Sequence, residues 1–211
     1  MAEQRARDVE SRTGVPGPIG SAGARGVAVP ADAPYGDFHP AVRTLREQFG
    51  PEEFAVYPLV VNPAGTSDQA CVRVPPERLL EVMQFLHTDE HCQFEQLCDL
   101  TCVDYLNFPE DTDRFAVIYS LLSLSLEHRL WIKCFVDGAD PAVASVTGVW
   151  RAADWLEREV YDMFGVRFIG HPDLRRLLTW EGFPAYPLRK DYPLRGRGER
   201  EACEVFPRDV S

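Results

Sequence analysis

Apolar positions along this chain recur with two different periods, and the change from one to the other marks out its elements. Val42, Leu45 and Phe49 fall at helical spacing and Gly50-Pro51 stops the run, so a short helix is predicted from Pro40 to Phe49. Phe54 to Val61 predicts a strand, Asn62 to Asp68 a turn, and Gln69 to Val74 the returning strand. Pro75-Pro76 then opens a helix through Leu86, with Leu79, Leu80, Val82, Met83 and Leu86 as its apolar face. Phe94 to Leu106 fits neither period. Arg114 to Leu126 and His128 to Val136 are two long strands joined at a polar break, and Asp137-Gly138 ends the second. Asp154 to Phe164 is a helix with Trp155, Leu156, Val160, Met163 and Phe164 on one side, which predicts a buried Trp155. Gly165 suits the left-handed position just past its end.

The two ends of the chain lack such periods. Residues 1 to 36 carry four basic and four acidic groups, many Gly and Pro, and few large apolar side chains, so a disordered tail is expected. Gly14, Gly17, Gly20, Gly23 and Gly26 follow the collagen spacing, but so few triplets do not hold a triple helix, and the stretch reads as a linker. After His171, Pro172, Pro184, Pro187 and Pro193 forbid long helices and central strands. The organisation is therefore a tail over 1–36, a folded domain over 37–170 and an extended arm over 171–211. Adjacent strands with short connections favour an α+β fold, an antiparallel or mixed sheet with helices on one face.

Charge narrows the function. With 22 Lys and Arg against 33 Asp and Glu, the net charge is −11. That argues against nucleic-acid binding, which needs a basic face, and against direct docking on an anionic membrane. No apolar run approaches the ~20 residues needed to cross a bilayer. Met1 to Glu10 is charged and no apolar core of a signal peptide follows it, while Glu3, Asp8, Glu10 and Asp32 are out of place in a mitochondrial presequence. Six cysteines in such a chain suggest reduced thiols in a cytosolic compartment.

The densest chemistry lies in EREVYDMFGVRFIGHPDLRR, Glu157 to Arg176. On a helix Arg158 and Asp162 are four apart and can pair on one face. Glu159 and Asp162 are three apart and could act as a carboxylate pair, for acid–base work or, with His171, for a metal. The plainer expectation is that Glu157, Arg158 and Asp162 form a solvated or partner-facing surface, and that His171, followed by Pro172, bonds backbone at a turn. His91, Cys92, Cys98 and Cys102 cluster too, but their gaps do not match zinc or iron–sulfur spacing, and on a strand Cys98 and Cys102 would lie ~13 Å apart. Buried structural thiols are expected instead. There is no dinucleotide or phosphate loop and no nucleophile elbow. The arm differs from the rest of this acidic chain. From His171 to Arg200 it has seven basic and four acidic residues, interleaved with aromatics, which suits a segment that wraps a partner.

These residues resemble the signature of the thirty-kilodalton-subunit family, the C-type subunits of proton-pumping NADH–quinone oxidoreductase (respiratory complex I). Glu157, Arg158, Glu159, Asp162, Met163, Phe164, His171, Arg175, Leu177 and Leu178 meet its constrained positions. YPLRKDYPL, Tyr186 to Leu194, is similar to the family's C-terminal arm, and SVTGVWRAADW, Ser145 to Trp155, to the preceding segment. The resemblance runs from about Phe38 to Leu194, and TWEGFPA, Thr179 to Ala185, departs from the family in its spacing.

The resemblance implies an α+β domain with no cofactor of its own, in the peripheral arm of a complex that passes electrons from NADH through FMN and iron–sulfur clusters to quinone and couples this to proton translocation. Those cofactors belong to partner subunits. The implied neighbours are subunits D, B and I, on the cytoplasmic side of the bacterial inner membrane, with membrane association only through the complex. Glu157, Arg158, Glu159, Asp162, His171, Arg175, Arg176, Arg189, Lys190, Asp191 and Tyr192 are the expected partner interface. Two alternatives stand beside this one. One is a free-standing metalloenzyme using Glu159, Asp162 and His171. The other is the same subunit type in a membrane-bound hydrogenase or a ferredoxin-using complex.

Overall fold

The computed structural model describes residues 39–50, 54–62, 65–107 and 113–199, with the backbone alone for 57–62 and 65–68. The tail expected over 1–36 and the arm's last residues, 200–211, lie outside the described residues.

Five strands form one mixed sheet in the order β1-β2-β5-β4-β3. They are β1 (Ala55–Asn62), β2 (Gly65–Arg73), β3 (Gln96–Asp104), β4 (Phe115–Ser123) and β5 (His128–Val136). All neighbours run antiparallel except β2 and β5, which are parallel. The predicted Asn62–Asp68 turn is shorter than expected, because Thr66 and Gly65 already pair with Val60 and Asn62. Among the described residues three helices complete the domain: α1 (Pro40–Phe49), α2 (Leu79–Thr88) and α3 (Ala153–Phe164). Pro40 starts α1 and Gly50 ends it. A 3-10 turn, Pro76–Arg78, precedes α2 in place of the continuous helix expected there.

One face of the sheet carries the core. Phe115, Val117, Tyr119 and Leu121 of β4 are fully buried, and their partners Val136, Cys134, Ile132 and Leu130 on β5 lie opposite them. The same face continues through Leu97, Leu100 and Cys102 on β3 and through Ala70 and Val72 on β2. Val42 and Leu45 of α1, Val82, Met83 and Leu86 of α2, and Val160, Met163 and Phe164 of α3 join that cluster. The fold is therefore α+β with its helices over one face, as the sequence predicts.

β3 occupies the stretch that fits neither period, and the structure supplies the reason. The register slips between Leu97 and Asp99, so one residue interrupts the alternation of period two. Asp104 ends β3 on the core face, where period two puts an apolar residue, and its side chain is completely buried.

Two short parallel strands add to the predicted set: β6 (Ala142–Ala144) and β7 (Arg167–Ile169). At three residues each they carry no readable period. They bracket α3 as a strand–helix–strand unit, which fixes the helix between the loop Ser145–Trp150 and the start of the arm.

Candidate functional site

The charged helix α3 and the segment after it form one connected site. The sequence pattern puts Trp155 inside and the charges outside. The structure reverses this. Trp155 is 64% exposed, while Glu157 and Asp162 are fully buried and Arg158 is 9% exposed. The stripe that faces inward is Ala153, Glu157, Val160 and Phe164, with Asp162 turned toward the arm. Glu157, Arg158 and Asp162 are therefore not a solvated face, and each bonds, in whole or in part, this chain's own backbone.

Asp162 sits in the last turn of α3. Its Oδ2 accepts the amides of Leu177 (3.0 Å), Leu178 (2.7 Å) and Thr179 (2.8 Å), and its Oδ1 accepts the Thr179 hydroxyl and Arg176 Nη1 (2.7 Å). Three successive amides on one carboxylate oxygen make an anion nest. Burial alone pushes this carboxyl up, but the Thr179 hydroxyl and amide, Arg176 and the Leu178 amide outweigh it and hold the pKa at about 2. Arg176 in turn donates to the carbonyls of Phe183 (2.8 Å) and Ala185 (3.2 Å). The expected Arg158–Asp162 pair is not formed. Arg158 reaches the carbonyls of Arg175 and Arg176 instead.

Beyond Ala185 the chain returns to the end of α3. A helix leaves its last carbonyls without partners. Here Leu188 N–H donates to Met163 O (3.1 Å) and Arg189 Nε to Phe164 O (2.5 Å), and the guanidinium favours the negative end of the helix dipole. Gly165 makes this close approach possible. Its φ is +77°, and a Cβ there would stand 2.5 Å from Arg189 Nη2 and 2.6 Å from the Tyr186 ring.

Asp104 holds the next residues. It accepts Lys190 N–H (2.8 Å) and Leu106 N–H (2.9 Å) and pairs with Arg114 (2.8 Å). Arg114 also holds Asp191 through two bonds, 2.9 and 3.1 Å. Burial raises the Asp104 carboxyl, yet Arg114 and the two amides leave its pKa below the ordinary value. The Asp191 carboxyl is lowered chiefly by Arg114. Tyr192 N–H bonds Arg189 O, and its ring lies 6.2 Å from that of Phe183. Asp104, Arg114 and Thr179 do not stand out in the sequence. A buried-face aspartate at a strand end is the signal for the first, and the bulge hides it.

Glu157 works on the other side of α3. Its oxygens accept the Ser145 hydroxyl (2.6 Å) and Val146 N–H (2.7 Å), which ties the loop after β6 to the helix. No cation pairs with it among the described residues, and burial pushes its pKa up to about 7 against those two bonds, with Asp154 adding to the rise. His171 is at a turn, as expected. Its Nδ1 accepts Asp173 N–H (3.0 Å), so its Nε2 carries the proton and donates to Asp154 O (3.1 Å). Glu159 is exposed, and Arg175 is exposed and paired with Asp173.

The metal constellation is not assembled. Glu159 points to solvent, Asp162 has its acceptors filled by the chain, and His171 has both nitrogens engaged. Nor do the cysteines gather. Cys92 and Cys102 are buried and held as thiols, with burial raising both to about 12, but Cys98 is exposed, contrary to expectation. Among the described residues no group of His, Cys, Asp and Glu is arranged for a metal ion, and no helix is long and apolar enough to cross a membrane.

Comparison with known proteins adds an independent line. Residues 72–198 match the family described as the respiratory-chain NADH dehydrogenase, 30 Kd subunit. The chain is 54% identical to the C 2 subunit of NADH-quinone oxidoreductase from Rhizobium etli over 123 residues, which is 58% of this chain and 64% of that one. It thus spans just under two thirds of that relative's length. It is 44% identical to NADH-ubiquinone oxidoreductase subunit 9 of Reclinomonas americana over 151 residues, 71% of this chain and 72% of the relative. Among solved structures, the trypsin-resistant fragment (1–134) of Nqo5 superposes with a TM-score of 0.53 at 34% identity, covering 64% of this chain and 99% of the fragment.

Proposed function

The chain belongs to the respiratory-chain NADH dehydrogenase 30 Kd subunit family, and from that premise we propose that it is a non-catalytic structural subunit in the peripheral arm of an NADH–quinone oxidoreductase. In this reading it helps hold the quinone-reducing module of a complex that carries electrons from NADH by FMN and iron–sulfur clusters to quinone and couples the transfer to proton movement. The chain binds none of these cofactors. Its contacts are subunits D, B and I, and it sits on the cytoplasmic side of the inner membrane, reaching that membrane only through the complex.

One observation carries the reading. The arm is fastened to its own domain through Asp162, Arg176, Arg189 and Asp104, and Phe183 and Leu174 turn inward, yet three of its leucines point away: Leu178 is 65% exposed, Leu188 52% and Leu194 103%. A segment held by so many internal bonds while its apolar groups face water is shaped for another protein surface. Among the described residues, Asp104, Asp162 and Arg176 are engaged in holding the arm, and Glu157 in holding the loop after β6.

The test is affinity purification of the tagged full-length chain from detergent-solubilised membranes of its own host. Recovery of the NADH-binding and iron–sulfur subunits, with NADH-driven quinone reduction, supports the reading. Replacing Leu188 and Leu194 together by Ser is expected to leave the melting temperature of the free chain unchanged and to lower that recovery. Purification of the chain alone, or with subunits of an unrelated complex, contradicts it.

A further inference from the structure

We propose that Arg158 is one half of an ion pair whose other half is an Asp or Glu side chain on a neighbouring subunit. Arg158 as a whole residue is 9% exposed, yet among the described residues it forms no ion pair, while Arg114 and Arg176 do. Its bonds are two long ones, 3.3 Å to Arg175 O and 3.4 Å to Arg176 O. Asp162, one turn further along α3, has both oxygens committed to the arm. Among the half-buried arginines nearby, Arg176 has Asp162 and Arg114 has Asp104 and Asp191, whereas Arg189 bonds the Phe164 carbonyl at the negative end of α3. Arg158 is more buried than any of these and has only its two carbonyls. A cation removed from water without a counter-ion carries a desolvation cost that carbonyls at this distance offset poorly.

The surroundings say what kind of group completes the pair. The Trp155 ring lies 5.4 Å from the guanidinium carbon and is 64% exposed, and Leu178, 65% exposed, sits on the stretch that Asp162 holds. Trp and Arg side by side, with an apolar neighbour, are the residue types that dominate protein interfaces. A protein surface that covers Trp155 and Leu178 would exclude water from Arg158, and a carboxylate delivered there would be strengthened by the lower local dielectric. The occupant is thus an apolar protein patch bearing one acidic side chain.

This inference rests on the reading of the chain as a subunit of an assembly. Its test uses the assembled complex carrying Arg158→Lys, treated with a water-soluble carbodiimide, which joins an amine only to a carboxylate in direct contact. A new amide bond between the substituted position and an Asp or Glu of another subunit is the expected result. Bonds only to Glu159 or Asp162 of this chain, or none, overturn the inference. Because the complex has been recovered by then, that failure is separate from a failure of the subunit reading. A second variant covers the case in which Arg158→Lys does not assemble. Trp155 replaced by a photo-reactive benzoylphenylalanine is expected to cross-link to a partner peptide that contains Asp or Glu, and capture of no partner peptide contradicts the proposal. Arg158→Gln should reduce recovery of the complex about tenfold or more, with the free chain's melting temperature as the control.

Discussion

Removing the Asp162 carboxylate strands three amides, a hydroxyl and a guanidinium at once. Asp162→Ala is expected to destabilise the domain by about 3–5 kcal/mol, the range for breaking a buried pair by deleting one partner, as read from urea denaturation. Because its folded pKa is depressed to about 2, its contribution is present above the ordinary 3.8 and fades as pH falls toward 2. Glu157 has the opposite sign. Its folded pKa is raised from 4.5 to about 7, so its contribution is fully present below 4.5 and is lost as pH rises through 7. Glu157→Gln should keep the Val146 bond on its carbonyl oxygen, reverse the Ser145 bond by donating its amide N–H to the hydroxyl oxygen, remove that decline, and leave the variant more stable than the parent at pH 8 by about 1–3 kcal/mol. Trp155→Ala, by contrast, should change stability by less than about 1 kcal/mol, since surface substitutions rarely do more. The sequence pattern points the other way. Hydrophobicity puts Trp155 inside and its charged neighbours outside, because burial of a carboxylate is legible only when its amide donors, here fifteen to seventeen residues away, are known.

Among the elements, those with long periods are legible: α1, α3, β4 and β5 fall close to their expected ranges. A bulge hides β3, and brevity hides β6 and β7. The arm is only half legible. Its prolines exclude regular structure, as expected, but an irregular segment can still be ordered when side chains supply its backbone bonds. Asp162, Arg176 and Asp104 do so here. Tyr186, Arg189 and Lys190 lie against the chain's own α3 terminus and β3. Truncation after Gly170 is consequently expected to lower the melting temperature of the domain and broaden its transition, since it unmakes the partners of Asp162, Asp104 and the last α3 carbonyls. Gly165→Ala should produce a milder form of the same defect. Its cost is about 1 kcal/mol or more from the left-handed backbone alone, plus the clash with Arg189 and Tyr186.

At the scale of the whole molecule, the fold is a sheet with helices on one side and a latched segment running from α3 to the edge of β3. Among the described residues, five exposed large apolar side chains, Trp155, Leu178, Trp180, Leu188 and Leu194, lie along α3 and that segment, while Leu106, Leu124, Leu126 and Ile169 are exposed elsewhere. The central claim is that the signature charges fasten the arm to its own domain before any partner arrives. Amide hydrogen exchange on the isolated chain tests this most directly. The account predicts slow exchange at Leu177, Leu178, Thr179 and Lys190, with the first three released by Asp162→Ala and the last by Asp104→Ala. Exchange of all four at the rate of an unstructured peptide in the parent chain would contradict it.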